Sequence, residues 1–253
     1  MKISICSDAL YMGQDYVESM KILSGAGYKD IEFWTWWNKD LDILLELKES
    51  HNLNYVAFCT KFVSLVDSSK REEYRKGLID SIHVAEKLNC KTLISQVGDE
   101  RADVDRKIQY NSLVAGLKEM APLLEEADIT LAIEPLNTRV DHKGYFLWSS
   151  DEAFRIVEQV GSPKVKVLFD IYHQQIMEGD LIRRIRANID NIGHFHIAGN
   201  PGRHEPYGDA CELNYLSILK CIDELNYDKY IGCEYFTQSS VIESLNGLKG
   251  ILD

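Results

Sequence analysis

The chain has 253 residues, 45% of them hydrophobic and 27% charged, which suits a globular fold with a large core. Its 28 basic residues are outnumbered by 40 acidic ones and lie scattered, for a formal net charge of -12, so no basic stripe exists to neutralise a phosphate backbone and a nucleic-acid partner is disfavoured. The N-terminus, Met1 to Cys6, has no charged segment leading into a long apolar run, and no stretch approaches the roughly 20 apolar residues of a membrane span. No membrane partner and a cytoplasmic location follow as expectations, and the six cysteines, without CxxC spacing, read as buried thiols.

In chain order, short β-branched or apolar runs alternate with amphipathic stretches. The strands are predicted at Lys2 to Cys6, Asp30 to Trp34, Asn54 to Cys59, Lys91 to Gln96, Thr130 to Glu134, Val165 to Asp170, Ile192 to Ile197 and Tyr230 to Tyr235. Helices are predicted at Asp15 to Gly25, Leu41 to His51, Arg71 to Leu88, Ile108 to Ala127, Ser150 to Val160, Leu181 to Asn188 and Tyr215 to Leu225. Tyr16, Met20 and Leu23 share a helical face, Ser149 is placed to cap a helix, and Gly25 and Gly27 suit a stop before the second strand. Eight βα repeats in a chain of this length predict one domain over residues 1–253, a (β/α)₈ TIM barrel. A doubly wound sheet would want a Gly-rich phosphate loop after its first strand, and Ser7 to Gly13 contains no GxGxxG.

In a barrel, residues that end different strands converge on one rim. Glu134 precedes Pro135, which cannot continue a central ladder; Asp170 closes an apolar run; His194 and His196 share one side of the seventh strand; Glu234 stands among apolar residues in the eighth. A buried carboxylate without a partner costs several kcal/mol, and three acids with one imidazole on four consecutive strand ends are most simply satisfied by one divalent metal ion. Oxygen-rich ligands favour Mg²⁺ or Mn²⁺, and the imidazole shifts the preference towards Mn²⁺ or Co²⁺ rather than zinc. The expected metal ligands are therefore Glu134, Asp170, His196 and Glu234. His173, three residues past Asp170, is a candidate for a substrate hydroxyl; His142, Arg203 and Lys61 lie near the same rim and could hold a carboxylate. Glu32 reads as a rim salt bridge, and Trp34, Trp36 and Trp37 as a loop wall, a packing cluster or a subunit contact.

These residues resemble the xylose isomerase-like barrels, and within them the hydroxypyruvate isomerase family. The resemblance rests on Glu134-Pro135-Leu136-Asn137-Thr138-Arg139, Gly144-Tyr145-Phe146-Leu147 and the run from Phe169 through Asp170-Ile171-Tyr172-His173 to Gly179. It continues in Pro201-Gly202-Arg203-His204-Glu205-Pro206 and Gly232-Cys233-Glu234-Tyr235, so it covers mainly the C-terminal half. It implies a metal-assisted aldose-ketose isomerisation of a small hydroxycarbonyl compound, hydroxypyruvate or a related oxo-sugar acid, through an enediolate, with Glu134 and Glu234 as the acid-base pair. One departure stands out. Hydroxypyruvate isomerases tend to carry glutamine at the seventh-strand ligand, whereas His196 resembles the ketose 3-epimerases of the same superfamily, whose reaction on tagatose or psicose is the alternative. An endonuclease IV-like phosphodiesterase would want more histidines than the seven present and a basic track. Homo-oligomers are compatible with the sequence, and no segment compels them.

Overall fold

The computed structural model describes residues 1–12 and 14–252; Gly13 and Asp253, which the sequence places in the first loop and at the end of the domain, lie outside the described residues. Eight strands form a closed parallel barrel in chain order: β1 (Lys2–Cys6), β2 (Asp30–Phe33), β3 (Asn54–Cys59), β4 (Thr92–Ser95), β5 (Thr130–Ile133), β6 (Val165–Asp170), β7 (Ile192–Ile197) and β8 (Tyr230–Cys233). The seam closes where β1 pairs with β8, Ser4 opposite Gly232.

The helices are α1 (Ser7–Leu10), α2 (Tyr16–Gly25), α3 (Leu41–His51), α4 (Arg71–Leu88), α5 (Arg106–Ala127), α6 (Ser150–Val160), α7 (Ile171–Met177), α8 (Leu181–Asn188), α9 (Tyr215–Glu224) and α10 (Val241–Leu252). Their ends follow local chemistry. The Ser149 side chain accepts from the Glu152 N–H and so caps α6, as the sequence suggests, and Asp15 caps α2 in the same way. α2 stops at Gly25, and Gly27 takes a φ of +95° that a side chain would resist. Three helices go beyond the sequence reading: α10, and the short α1 and α7, which follow their strands without a loop and are too short to show a helical period.

Outward strand residues such as Tyr55, Leu93, Leu131 and Phe169 pack with Met20, Leu44, Leu117 and Phe154 of the helices in one large core. A smaller cluster holds Val56, Ile94, Ala132 and Leu168. By the two-residue alternation, Ala132 and Leu168 share the inner strand faces with Glu134 and Asp170, one step below them. The rim is thus polar above an apolar plug. All six cysteines are free; Cys211 is half-buried and the other five are buried. Among the described residues no helix is long and apolar enough to cross a membrane.

Candidate metal centre and its surroundings

Glu134 is the first residue after β5 and Glu234 the first after β8. Strand pairing reaches one bond further than the strands: the Glu134 N–H donates to the Ser95 carbonyl at 3.2 Å and the Glu234 N–H to that of Ile197 at 3.1 Å. Both side chains are thereby held on the inner face. Asp170 ends β6 and also caps α7, its Oδ1 accepting the His173 N–H at 3.1 Å. His196 lies near the end of β7, opposite Asp170.

The structure brings these four together. One donor atom from each of Glu134, Asp170, His196 and Glu234 falls within 4.8 Å of the others, and all four residues are buried. Glu134 Oε1, Asp170 Oδ2 and His196 Nδ1 have no hydrogen-bond partner. His196 Nδ1 only approaches the acids, at 3.4 Å from Glu234 Oε2 and 3.8 Å from Glu134 Oε1. Buried polar atoms are rarely left this way, and three buried acids crowded together repel one another. A divalent cation fits this donor set: it would take the orphaned atoms and cancel the charge.

The electrostatics of the ring are uneven. Burial first, then the Glu234 charge, pushes the Glu134 carboxyl up to about 8. Burial acts on Glu234 as well, but the Arg203 guanidinium and the His196 imidazole beside it outweigh this and hold it well below the usual carboxylate range. Both Glu234 oxygens are engaged, Oε1 by the Trp34 indole N–H at 2.5 Å and Oε2 by Arg203. Glu134 has no such donor at its free oxygen.

Further residues hold the ring in place, and most of them escape a local sequence pattern. Glu32, expected as a rim salt bridge, is instead buried inside the barrel. It accepts from Ser4 Oγ, and its two oxygens lie 2.9 Å from His194 Nε2 and 2.9 Å from His196 Nε2. Burial would raise its pKa, but the two imidazoles pull it far below the ordinary value. The clue was present: alternation puts His194 and His196 on one face, and an inward acid on β2 is the natural partner for both. Trp34 is held in turn by Asp8, whose Oδ2 accepts the Trp34 backbone N–H at 2.9 Å and the ammonium of Lys39, a nearly buried lysine, at 2.8 Å. Nothing in the sequence pattern marks that bond, because it joins α1 to the segment after β2, 26 residues further along the chain.

The remaining candidates divide. His173 is fully buried in α7, not in a loop; its Nδ1 meets the Asn137 amide at 2.7 Å, while Nε2 is unpartnered at 3.6 Å from Asp170 Oδ2. Burial drives its pKa well down, so it stays neutral. His142 lies edge-on to it at 5.3 Å, also with a free buried Nε2. Arg203 is not a solvated rim residue: it is buried, with a left-handed φ of +57°, packs over Tyr172 and Phe236, and has a buried Nε without a partner. Lys61 turns away. It pairs with Asp80 at 2.8 Å and lies over Trp36, so it is not available to a substrate carboxylate.

A cavity of about 240 Å³ is lined by Trp34, Phe62, Glu134, His142, Arg203 and Glu234. A neighbouring one of about 480 Å³ shares Phe62, Gln96, Leu136 and His142 with it. Trp37 stands edge-on to Phe62 at 5.1 Å and to Trp36 at 5.8 Å, so the tryptophans build a wall at this mouth, with Trp36 anchored by a bond to Ser81.

Known proteins resemble this chain in sequence and fold. The family described as xylose isomerase-like TIM barrel matches residues 20–251. Hydroxypyruvate isomerase of Escherichia coli is 29% identical over 249 residues, 95% of each chain. A 2-oxo-tetronate isomerase of Cupriavidus necator is 42% identical over 151 residues, 60% of this chain and 57% of that one. The solved structure of a Brucella melitensis protein named AP endonuclease, family 2, superposes with a TM-score of 0.92 over 98% of both chains at 29% identity. Isomerases are among its curated relatives, and the chain belongs to the xylose isomerase-like TIM barrels.

Proposed function

We propose that this barrel is a metal-dependent isomerase of a small hydroxycarbonyl acid, hydroxypyruvate or a related oxo-sugar acid such as a 2-oxo-tetronate. The observation that carries the reading is the ring of four donor atoms within 4.8 Å, three of them without a hydrogen-bond partner. The names of the Escherichia coli and Cupriavidus necator relatives support the substrate class.

Glu134, Asp170, His196 and Glu234 would hold one ion, Mn²⁺ or Mg²⁺ by the oxygen-rich donor set, with Co²⁺ also accommodated. When bound, the ion supplies Lewis-acid stabilisation of negative charge on the substrate oxygens. The chain's own residues move the proton. One of Glu134 and Glu234 takes it from the hydroxymethyl carbon of hydroxypyruvate, leaving an enediolate. A proton returned to the neighbouring carbon, with the hydroxyl proton passing between the two oxygens, gives tartronate semialdehyde. His173 Nε2 and His142 Nε2 offer hydrogen bonds to substrate oxygens, and Arg203 Nε offers one to a carboxylate.

Incubating the protein and Mn²⁺ with hydroxypyruvate in D₂O tests this. Deuterium in the substrate pool and tartronate semialdehyde are expected; neither appearing would sink that substrate, and a 2-oxo-tetronate run alongside covers the longer acid. Glu234→Gln should abolish the exchange, a loss of about 10³-fold or more, with the fold intact.

C3 epimerisation of a ketohexose is the second reading, favoured by His196 and by the 480 Å³ cavity contiguous with the site. Turnover of tagatose, fructose or psicose without action on three-carbon acids would decide for it. The name of the Brucella relative points to phosphodiester cleavage, but a net charge of -12 gives DNA no track to follow.

A further inference from the structure

Two groups of ligand-type residues share His196: the outer ring, and an inner set of Glu32, His194 and His196. Their chemistry differs. The outer ring leaves three buried donor atoms unpartnered. In the inner set each Glu32 oxygen already faces an imidazole Nε2 at 2.9 Å, and Ser4 Oγ donates to the same carboxylate. The space is also full. A Cβ at Gly232, opposite Ser4 across the β1–β8 seam, would come 2.5 Å from Glu32 Oε1 and 2.7 Å from His196 Cδ2. Glycine there lets a β2 carboxylate reach a β7 imidazole across the barrel interior.

A neutral imidazole carries one N–H, and the hydrogen bond made by one nitrogen decides which nitrogen keeps its lone pair. We propose that Glu32 is a positioning residue: by accepting Nε2–H of His196 it fixes that ring as the tautomer whose Nδ1 lone pair faces Glu134, Asp170 and Glu234. Ser4 and His194 hold Glu32 in place, and Gly232 provides the room. Glu32 does not itself reach the ring. The inner set is thus a support for one metal site and not a second site. This rests on the metal reading above.

The Glu32→Gln variant separates the alternatives, since its amide keeps one accepting oxygen but turns the other end into a donor. Two imidazole N–H groups can no longer both be accepted, so one ring must change tautomer or swing away. Calorimetric titration of metal-stripped protein with Mn²⁺ should show affinity falling by about 10- to 100-fold, the range typical of lost outer-shell partners, at unchanged circular dichroism. In His194→Phe the bond from His196 to Glu32 survives, and Mn²⁺ affinity should fall less. Affinity for Mn²⁺ within threefold of wild type in folded Glu32→Gln overturns the proposal. Should that variant not fold, nitrogen-15 spectra of histidine-labelled wild-type protein loaded with Mg²⁺ decide it. Nε2–H at His196 is expected, and Nδ1–H overturns it. Absence of Mn²⁺ and Mg²⁺ binding by wild type would overturn the metal reading and this proposal with it, whereas tight binding that survives unchanged in Glu32→Gln overturns the proposal alone.

Discussion

The Trp34 indole donates its N–H to Glu234 Oε1 at 2.5 Å, so a residue just past the second strand orients a carboxylate just past the eighth. A hydrogen bond to a charged group is worth about 1.5–3 kcal/mol, and its loss leaves Glu234 held by Arg203 at one oxygen only. Trp34→Phe keeps the aromatic wall but removes the donor. We expect kcat/KM on the turned-over substrate to fall about 10- to 100-fold, with the melting temperature little changed. Activity equal to wild type would show that Arg203 alone orients Glu234.

Asp170 does two jobs that substitution can separate. Its Oδ1 caps α7 while Oδ2 is left for the ring. Asparagine preserves a good cap, so Asp170→Asn should lose Mn²⁺ affinity without losing stability in chelator. Asp170→Ala should lose the cap too, about 1 kcal/mol in urea titrations of the metal-free protein.

Metal removal should make stability pH-dependent with a definite sign. Without a cation, Glu134 in the folded protein titrates at about 8, against its ordinary 4.5, chiefly through burial and the Glu234 charge. Between those values the folded state binds more protons than the unfolded state. Stability in chelator is therefore full below the lower value and falls as pH rises through the higher one. From roughly pH 7 to 8.5, above the range in which the buried neutral His173 and His142 act in the opposite sense, urea midpoints should decline, and Glu134→Gln or saturating Mn²⁺ should flatten the decline. A rise with pH in wild type would contradict this.

Lys61 provides a control. Because it pairs with Asp80 at the surface, Lys61→Met should leave kcat/KM within about twofold of wild type and cost no more than about 1 kcal/mol of stability. A large rise in KM for a carboxylate substrate would mean that the side chain swings inward on binding.

The strands were legible because each is a short β-branched or apolar run, and the four ring residues because each is a polar residue at or next to the end of one. Pro135 made Glu134 plain, and Asp170 and Glu234 stood out against apolar runs. What escaped the sequence are contacts between distant segments. Glu32 looks like any acid closing a strand, and only the closed barrel brings it to two imidazoles on β7. Arg203 looked like a loop cation, and only the fold shows its charge spent on Glu234. The distance along the chain between Asp8 and Trp34, or Trp34 and Glu234, hides such pairs from any local pattern.

The ring is contributed by β5 to β8, whereas Ser4, Glu32 and Trp34, which steady two of its members, come from β1 and the β2 end. These two sets are joined only when β1 zips onto β8. During refolding, a chain with its last four strands assembled but an open seam has all the ligands and lacks the bracing from Ser4, Glu32 and Trp34. Tight Mn²⁺ capture should therefore lag behind the bulk of secondary-structure formation and coincide with closure of the barrel, so that the time course of metal uptake serves as a clock for the final pairing step.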